Sequence, residues 1–363
     1  MTGPRVFFRA DADRLIGTGH MARCRCLARG LLKQGIPSSF LMAGPASPVT
    51  DSLEREGFEV LILPKGPSDE ADALAAVISA SGADRALLIV DSPLPSFYSG
   101  DFQEGIRSRG VRLMMIAFRS EGHFNADALH NQNLLALEES YSVELYTRLL
   151  LGPRYVILDE RFSRLRDSRG DVPSGVADRL FLFFGGADVS NLTLKALRSL
   201  AAMEQPLRRV ITVVGPLHGR LDEISAFARA NPALPVDLHV NTPEMPELMA
   251  EADIAVTSGG LTIWELACIG VPNVVISTSE RERIHTPLME KRGCCICLGH
   301  EGEVTENSIR AAVSGLMANG KKRREMARAG LELVDGRGTE RVIEQVMDLL
   351  MSEHNFEWKG GEA

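Results

Sequence analysis

The chain has 363 residues, of which 45% are hydrophobic and 24% charged, with a formal net charge of −8. This length predicts two α/β-sized domains, and the ordinary composition predicts a globular protein. The acidic balance argues against a nucleic-acid partner, which would need a basic face. No apolar run reaches the roughly 18 residues of a membrane-spanning helix, so we expect no stable membrane insertion.

The first residues lack the ordered charged, apolar and small-residue pattern of a secretion signal, which favours a cytoplasmic protein. The six cysteines fit free thiols in that compartment. Cys294 and Cys297 have C-x-x-C spacing, but no second pair stands at zinc-site spacing from them. We therefore expect neither a metal nor a cofactor. The sequence leaves the oligomeric state open, with a monomer favoured.

The first half alternates short apolar runs with helical patterns. Strands are predicted at 6–9, 39–42, 59–63, 86–90 and 111–117, with helices after residue 20 and at 71–80. Strands that are apolar throughout and separated by helices indicate a parallel sheet covered on both faces. The fold class is therefore α/β.

The pattern breaks over residues 151–179, which are rich in glycine, proline and charge, and then restarts. Further strands are predicted at 180–184, 210–214, 236–240, 254–257 and 274–277, with helices at 192–202, 221–230, 262–268 and 340–351. We infer an N-terminal Rossmann-like domain (1–151), a linker (152–179), a second Rossmann-like domain (180–335) and a final helix (336–353).

The first motif joins Arg9-Ala10-Asp11 to Gly17-Thr18-Gly19-His20, with Arg23 one helical turn later. Glycines at the end of a strand let a ligand approach the backbone, and the following helix start favours an anion. A histidine at this edge of a parallel sheet can act as a general base. A loop histidine that only packs or caps is the alternative. The missing third glycine argues against a dinucleotide site.

The second half repeats this arrangement. Phe183 and Phe184 lead into Gly185-Gly186-Ala187-Asp188, and Val214 leads into Gly215. Taken alone, each of these glycine motifs indicates only a turn after a strand. Ser258-Gly259-Gly260-Leu261-Thr262 follows a third strand and opens a helix that carries Glu265. Such backbone amides suit a diphosphate, and Glu265 could accept both hydroxyls of a ribose. Alternatively, Glu265 only complements the positive end of the helix dipole.

Taken in order, these motifs resemble two related families. Residues 257–265 resemble the nucleotide-binding segment of GT-B glycosyltransferases, notably the peptidoglycan enzyme that adds N-acetylglucosamine to a lipid carrier. The R-A-D and G-x-G-H motifs with Arg23 resemble the pseudaminic acid pathway hydrolase that removes UDP from UDP-2,4-diacetamido-2,4,6-trideoxy-β-L-altropyranose. Similar segments, in the same order between residues 6 and 299, are Val90-Asp91-Ser92, 152–155, 184–188, 214–216 and 243–252.

The resemblance implies a GT-B fold, with two Rossmann-like domains facing each other across a cleft and a final helix that crosses back to the first domain. It implies that His20 is catalytic and that the substrate is a UDP-sugar. The sugar side would include Asp11, Gly17, Gly19, Arg23 and Glu280. The nucleotide would be bound by Gly185, Gly186, Gly215, Met245, Ser258, Gly259, Gly260, Leu261, Thr262 and Glu265, with Met245 against the uracil.

Two departures fall on the sugar side. Residues 279–283 read Ser-Glu-Arg-Glu-Arg where the family has an A-E-N-Q-like segment, and Pro93 stands where an aromatic residue is common. Both leave the sugar and its stereochemistry open. We expect a metal-independent hydrolase in which His20 activates water. A glycosyltransferase that activates an acceptor, a non-catalytic nucleotide-sugar-binding protein and a nucleotide other than UDP remain alternatives.

Overall fold

A computed structural model describes residues 3–14, 16–44, 48–63, 70–168 and 175–352. Helices and strands alternate along most of the chain. The first half contains the strands β1 (Pro4–Ala10), β2 (Ser38–Ala43), β3 (Glu59–Leu63), β4 (Arg85–Asp91), β5 (Arg112–Ile116), β6 (His123–Phe124), β7 (Ala128–Asn131), β8 (Ser142–Val143) and β9 (Arg148–Leu151). Its helices are α1 (Gly19–Lys33), α2 (Pro48–Arg55), α3 (Glu70–Ala80), α4 (Gly100–Arg107) and α5 (Glu160–Ser168).

Seven of these strands form one parallel sheet in the order β3-β2-β1-β4-β5-β7-β9, and β6 pairs with β8. The central strands are buried on both faces, as Val6, Phe7 and Phe8 in β1 show with no exposed surface. Helices cover both faces because neither face can be left to water. This explains the apolar runs of the sequence.

The second half forms a separate sheet of six parallel strands. Its strands are β10 (Arg179–Phe183), β11 (Arg209–Val214), β12 (Val236–Val240), β13 (Ile254–Ser258), β14 (Asn273–Ser277) and β15 (Ile296–His300), in the order β12-β11-β10-β13-β14-β15. Its helices are α6 (Leu192–Ala201), α7 (Leu221–Ala230), α8 (Met245–Ala250), α9 (Thr262–Cys268), α10 (Glu280–Lys291), α11 (Glu306–Ala318) and α12 (Gly320–Leu333).

The last helix, α13 (Gly338–Met351), packs on the first sheet. Val342, Val346 and Leu350 on one side of α13 join the core formed by β1 and α1. Thr339 at its start exchanges hydrogen bonds with the backbone of Leu158, at 2.7 and 2.8 Å. The end of the chain thus returns to the first half.

The sequence pattern left residues 152–179 without regular structure, but α5 lies within them. Phe162 is the buried residue of this polar helix, so no apolar periodicity marked it. The sequence pattern also did not predict the strands β6, β7, β8, β9 and β15 or the helices α2, α4, α8, α10, α11 and α12. In the described ranges, no helix combines the length and apolar character needed to cross a bilayer.

Candidate active site

Each sheet has a point where its strand order reverses, and the two points face one cleft. In the first sheet β1 and β4 are neighbours, with Ala10 beside Asp91 at their carboxyl ends. In the second sheet β10 and β13 are neighbours, with Phe183 beside Thr257. Loops from both sheets line a cavity of about 820 Å³. Crevices at such reversal points are the usual ligand sites of open α/β sheets.

A buried histidine and aspartate lie at the reversal point of the first sheet. His20, the second residue of α1, places Nδ1 2.6 Å from Oδ1 of Asp91, the last residue of β4. The side chain of Asp91 has no exposed surface, whereas that of His20 is 7% exposed and lines the cleft. The Nδ1–H therefore donates to the carboxylate, which leaves Nε2 as the nitrogen able to accept a proton.

Arg23 holds the carboxylate in its charged form. Its Nε donates to Oδ2 of Asp91 at 2.9 Å, and its Nη2 donates to Oδ1 at 2.8 Å. Burial opposes ionisation of Asp91, but the charge of Arg23 and the hydrogen bonds from Arg23 and His20 outweigh it and hold the pKa of this carboxyl well below its usual range. The aspartate is therefore a permanent anion that fixes the orientation of the imidazole.

An aromatic ring joins this cluster to the second half of the chain. The Phe118 ring packs edge-on against His20, with centroids 5.2 Å apart. On the same ring lie two guanidinium groups, with Cζ of Arg23 5.0 Å and Cζ of Arg281 3.7 Å from the centroid. Arg281 belongs to the first turn of α10. The residues around His20 thus come from both halves of the chain.

Residues 258–262 form the opposite wall of the cleft, between β13 and α9. The amide of Gly259 donates to Oε2 of Glu282 at 3.2 Å, and the same oxygen accepts from the amide and hydroxyl of Thr278 at 2.7 and 3.0 Å. Burial raises the pKa of Glu282, and these bonds act against that rise. Glu282 therefore holds the loop in place and occupies one of its amides.

Glu265 lies half-buried on α9 and faces the same cleft. Burial and the nearby charge of Asp159 raise its pKa to about 7, against a smaller opposing effect of a hydrogen bond from Thr262. Asp159 is itself ion-paired with Arg29 of α1 and with Arg161 of α5. A carboxyl with so few donors of its own is suited to receive hydroxyl donors from a ligand.

Most of the residues chosen from the sequence meet at this cleft. The structure brings together Gly17, Gly19, His20, Arg23, Gly185, Gly186, Met245, Ser258, Gly259, Gly260, Leu261, Thr262 and Glu265 along its walls. Gly186 lies close to Thr18 of the first half, where an added Cβ would come within 2.4 Å of the Thr18 hydroxyl. A residue without a side chain is needed there.

Three of the predicted site residues, Asp11, Gly215 and Glu280, do not line the cleft. Asp11 turns away to pair with Arg9 at 2.7 Å and to accept from the amide of Ala43 at 2.8 Å. Gly215 packs against the Gly186 backbone, 2.4 Å from where its own Cβ would stand. Glu280 points outward and pairs with Arg283 at 3.2 Å. Because α10 turns by about 100° per residue, Arg281 and Glu282 face the cleft instead.

Sequence reasoning assigned no role to Asp91, Arg281 or Glu282. A signal for Asp91 was present, since it is a carboxylate directly after the apolar run 86–90 of β4. Its contact with His20, 71 residues away, depends on the pairing of β1 with β4. Arg281 and Glu282 lie in a run of seven polar and charged residues, 277–283, in which the sequence alone does not show which side chains face the cleft.

Comparisons with known proteins agree with this architecture. Residues 180–345 match the family model described as the glycosyltransferase family 28 C-terminal domain. The structure is similar to the crystal structure of MurG from Acinetobacter baumannii, with a TM-score of 0.66 and 14% sequence identity over 95% of this chain and 99% of that one. The chain has the GT-B fold. This confirms the α/β class and the two facing Rossmann-like halves expected from the sequence.

Two curated relatives are similar in sequence. SpsG of Bacillus subtilis, a spore coat polysaccharide biosynthesis protein, is 24% identical over 95% of this chain and 98% of its own length. An uncharacterized protein of Methanocaldococcus jannaschii is 26% identical over 77% of this chain, and the match spans 57% of that protein's length. The similarity to a named glycosyltransferase domain family thus lies in the second half of the chain, over residues 180–345.

Proposed function

We propose that this chain is a nucleotide-sugar hydrolase that releases UDP and a free sugar. The observation that carries the proposal is the His20–Asp91 pair, which lies in the GT-B cleft opposite the glycine-rich 258–262 loop. The pair supplies a base, and the loop with Glu265 offers a site for a nucleoside diphosphate. The glycosyltransferase-like comparisons support a nucleotide-sugar as the substrate.

In this reaction His20 acts as the general base. Its Nε2 takes a proton from water while the water oxygen bonds to the anomeric carbon of the sugar. The bond from that carbon to the β-phosphate oxygen breaks, and its electron pair leaves with UDP. Asp91 stays ionised and stabilises the imidazolium that forms, as a buried carboxylate does for a catalytic histidine. A base of this kind contributes about 10² to 10⁴ in rate.

The second half would hold the nucleotide. Amides of the 258–262 loop and the Thr262 hydroxyl would bind the diphosphate, although the Gly259 amide is engaged by Glu282 in this structure. Glu265 would accept the ribose hydroxyls, and Met245 would lie against the uracil. The residues that touch the sugar would come from the first half, around Gly17, Gly19 and Arg23.

The experiment is to incubate the protein with a panel of UDP-sugars, without an acceptor, and to measure UDP release. We expect UDP and free sugar in equal amounts from one member of the panel. In ¹⁸O-labelled water the label should appear on the anomeric oxygen of the sugar, because water attacks carbon. Label in the phosphate would show attack at phosphorus and would contradict the mechanism.

A glycosyltransferase is the second candidate, favoured by the family 28 match and by the similarity to MurG. It would use the same base on an acceptor hydroxyl. The same panel separates the two reactions: UDP release that requires an added acceptor, with no free sugar, identifies a transferase. Binding of UDP-sugars without turnover in either assay would instead identify a binding protein.

A further inference from the structure

The arginines of the cleft wall differ in what neutralises them. Seven line the cleft: Arg14, Arg23, Arg25, Arg29, Arg55, Arg161 and Arg281. Four are paired with carboxylates: Arg23 with Asp91, Arg25 and Arg29 with Glu56, and Arg161 with Asp159. The other three have no carboxylate oxygen of a described residue within 4.0 Å. These three are candidates to receive an anionic ligand.

Arg281 differs from Arg14 and Arg55 in its position in the cleft. The guanidinium of Arg14 approaches Gly219, 2.5 Å from where a Cβ would stand. The Nε of Arg55 donates to the carbonyl of Asp51 in its own helix. By contrast, Arg281 lies over the Phe118 ring, whose edge packs on His20.

Arg281 also adjoins the loop assigned to the diphosphate. The next residue, Glu282, accepts a hydrogen bond from the amide of Gly259. Arg281 thus lines the cleft with the base on one side, through Phe118, and the 258–262 loop on the other, through Glu282. If both assignments hold, the bond between sugar and phosphate lies in this part of the cleft. A guanidinium over an aromatic face keeps its N–H groups at its edges, free to donate to phosphate oxygens.

We propose that Arg281 binds the β-phosphate of the nucleotide and stabilises its charge as the leaving group departs. This role rests on the proposed function. As the carbon–oxygen bond breaks, its electron pair passes to the β-phosphate oxygen, and the proton of the attacking water passes to His20. Arg281 keeps its own protons and donates hydrogen bonds to the phosphate, which gains negative charge. A fixed cation at that position acts most strongly in the transition state.

The test compares binding of UDP and UMP, which differ by the β-phosphate alone, to the full chain by calorimetry. In Arg281→Ala we expect UDP affinity to fall about 10- to 100-fold, the usual range for a lost charged hydrogen bond, and UMP affinity to change less than about threefold. Arg281→Lys should recover part of the loss for UDP, since it keeps the charge but loses the fork geometry.

Arg283→Ala is the matched control. Arg283 lies two residues further along the same helix, is exposed, and pairs with Glu280 outside the cleft. This variant should bind UDP and UMP as the unmodified protein does. A Phe118→Leu variant removes the stacking surface and keeps the arginine. We expect it to weaken UDP more than UMP, though less than Arg281→Ala does.

Equal weakening of UDP and UMP in Arg281→Ala would overturn the proposal, because Arg281 would then serve only to hold the two halves together through Phe118. Unchanged binding of both ligands would overturn it as well. If the unmodified protein binds neither UDP nor UMP, the proposed function itself fails, and the role of Arg281 fails with it. Selective loss of UDP affinity supports the proposal.

Discussion

Replacing Asp91 by asparagine should abolish most of the activity while leaving nucleotide binding intact. The carboxylate accepts three hydrogen bonds, one from His20 and two from Arg23, and has no exposed surface. Asparagine has the same shape but one acceptor oxygen and one NH₂ group. If the NH₂ faces His20, Nδ1 must accept, and the proton moves to Nε2. The imidazole is then unable to act as a base.

This geometry sets the size of two effects of Asp91→Asn, the loss of turnover and the loss of folding stability. A wrong tautomer costs about 10² to 10⁴ in turnover, with the upper value typical where an aspartate orients a catalytic histidine. Arg23 would remain buried and charged after losing its anion. Removing one partner of a buried ion pair costs about 3–5 kcal/mol. We expect a loss near the lower end, about 3 kcal/mol, because the asparagine oxygen still accepts one bond.

The assay combines turnover, UDP affinity and denaturant unfolding of the same variant. Asp253→Asn is the control, since the Asp253 side chain is 6% exposed and pairs with Arg179 at 2.7 Å outside the cleft. It should lose stability comparably but retain turnover. If Asp91→Asn kept near-native turnover, or if both variants lost activity in proportion to stability, the assigned role of Asp91 would be refuted.

Three further predictions concern the cleft. His20→Asn should fold, bind UDP normally and lose about 10² to 10⁴ in turnover; near-native turnover would remove His20 from the mechanism. Glu265→Ala should weaken UDP by about 1.5–3 kcal/mol in calorimetry, and unchanged affinity would defeat the ribose assignment. Burial and the nearby Asp159 raise the pKa of Glu265 to about 7. The free energy of unfolding of the unliganded protein should therefore fall as the pH rises from 4.5 to about 7, which denaturant unfolding at several pH values measures. Ribose hydroxyls donate to the ionised Glu265 carboxylate, so UDP binding should release protons below about pH 7. UDP affinity should therefore weaken as the pH falls. The same pH dependence of affinity in a Glu265→Gln variant would contradict this.

Much of the fold could be predicted from the sequence because the strands are buried on both faces. Continuous apolar runs marked β1, β4, β10 and β13 within one or two residues of their bounds. The glycines after β1 and β13 marked the loops that line the cleft. The sequence pattern did not predict polar helices such as α5 and α10, because helices with few buried residues show little apolar periodicity.

The sequence by itself determined which residue types stand at the carboxyl ends of the strands, since local patterns encode strands, turns and helix starts. Only the tertiary structure decided which of them meet. Asp91 reaches His20 because β4 lies beside β1, and Asp11 does not because Arg9 and the Ala43 amide engage it. Arg281 reaches Phe118 because the two halves face each other. Strand order and domain apposition bring distant residues together, and no local pattern in the chain records that proximity.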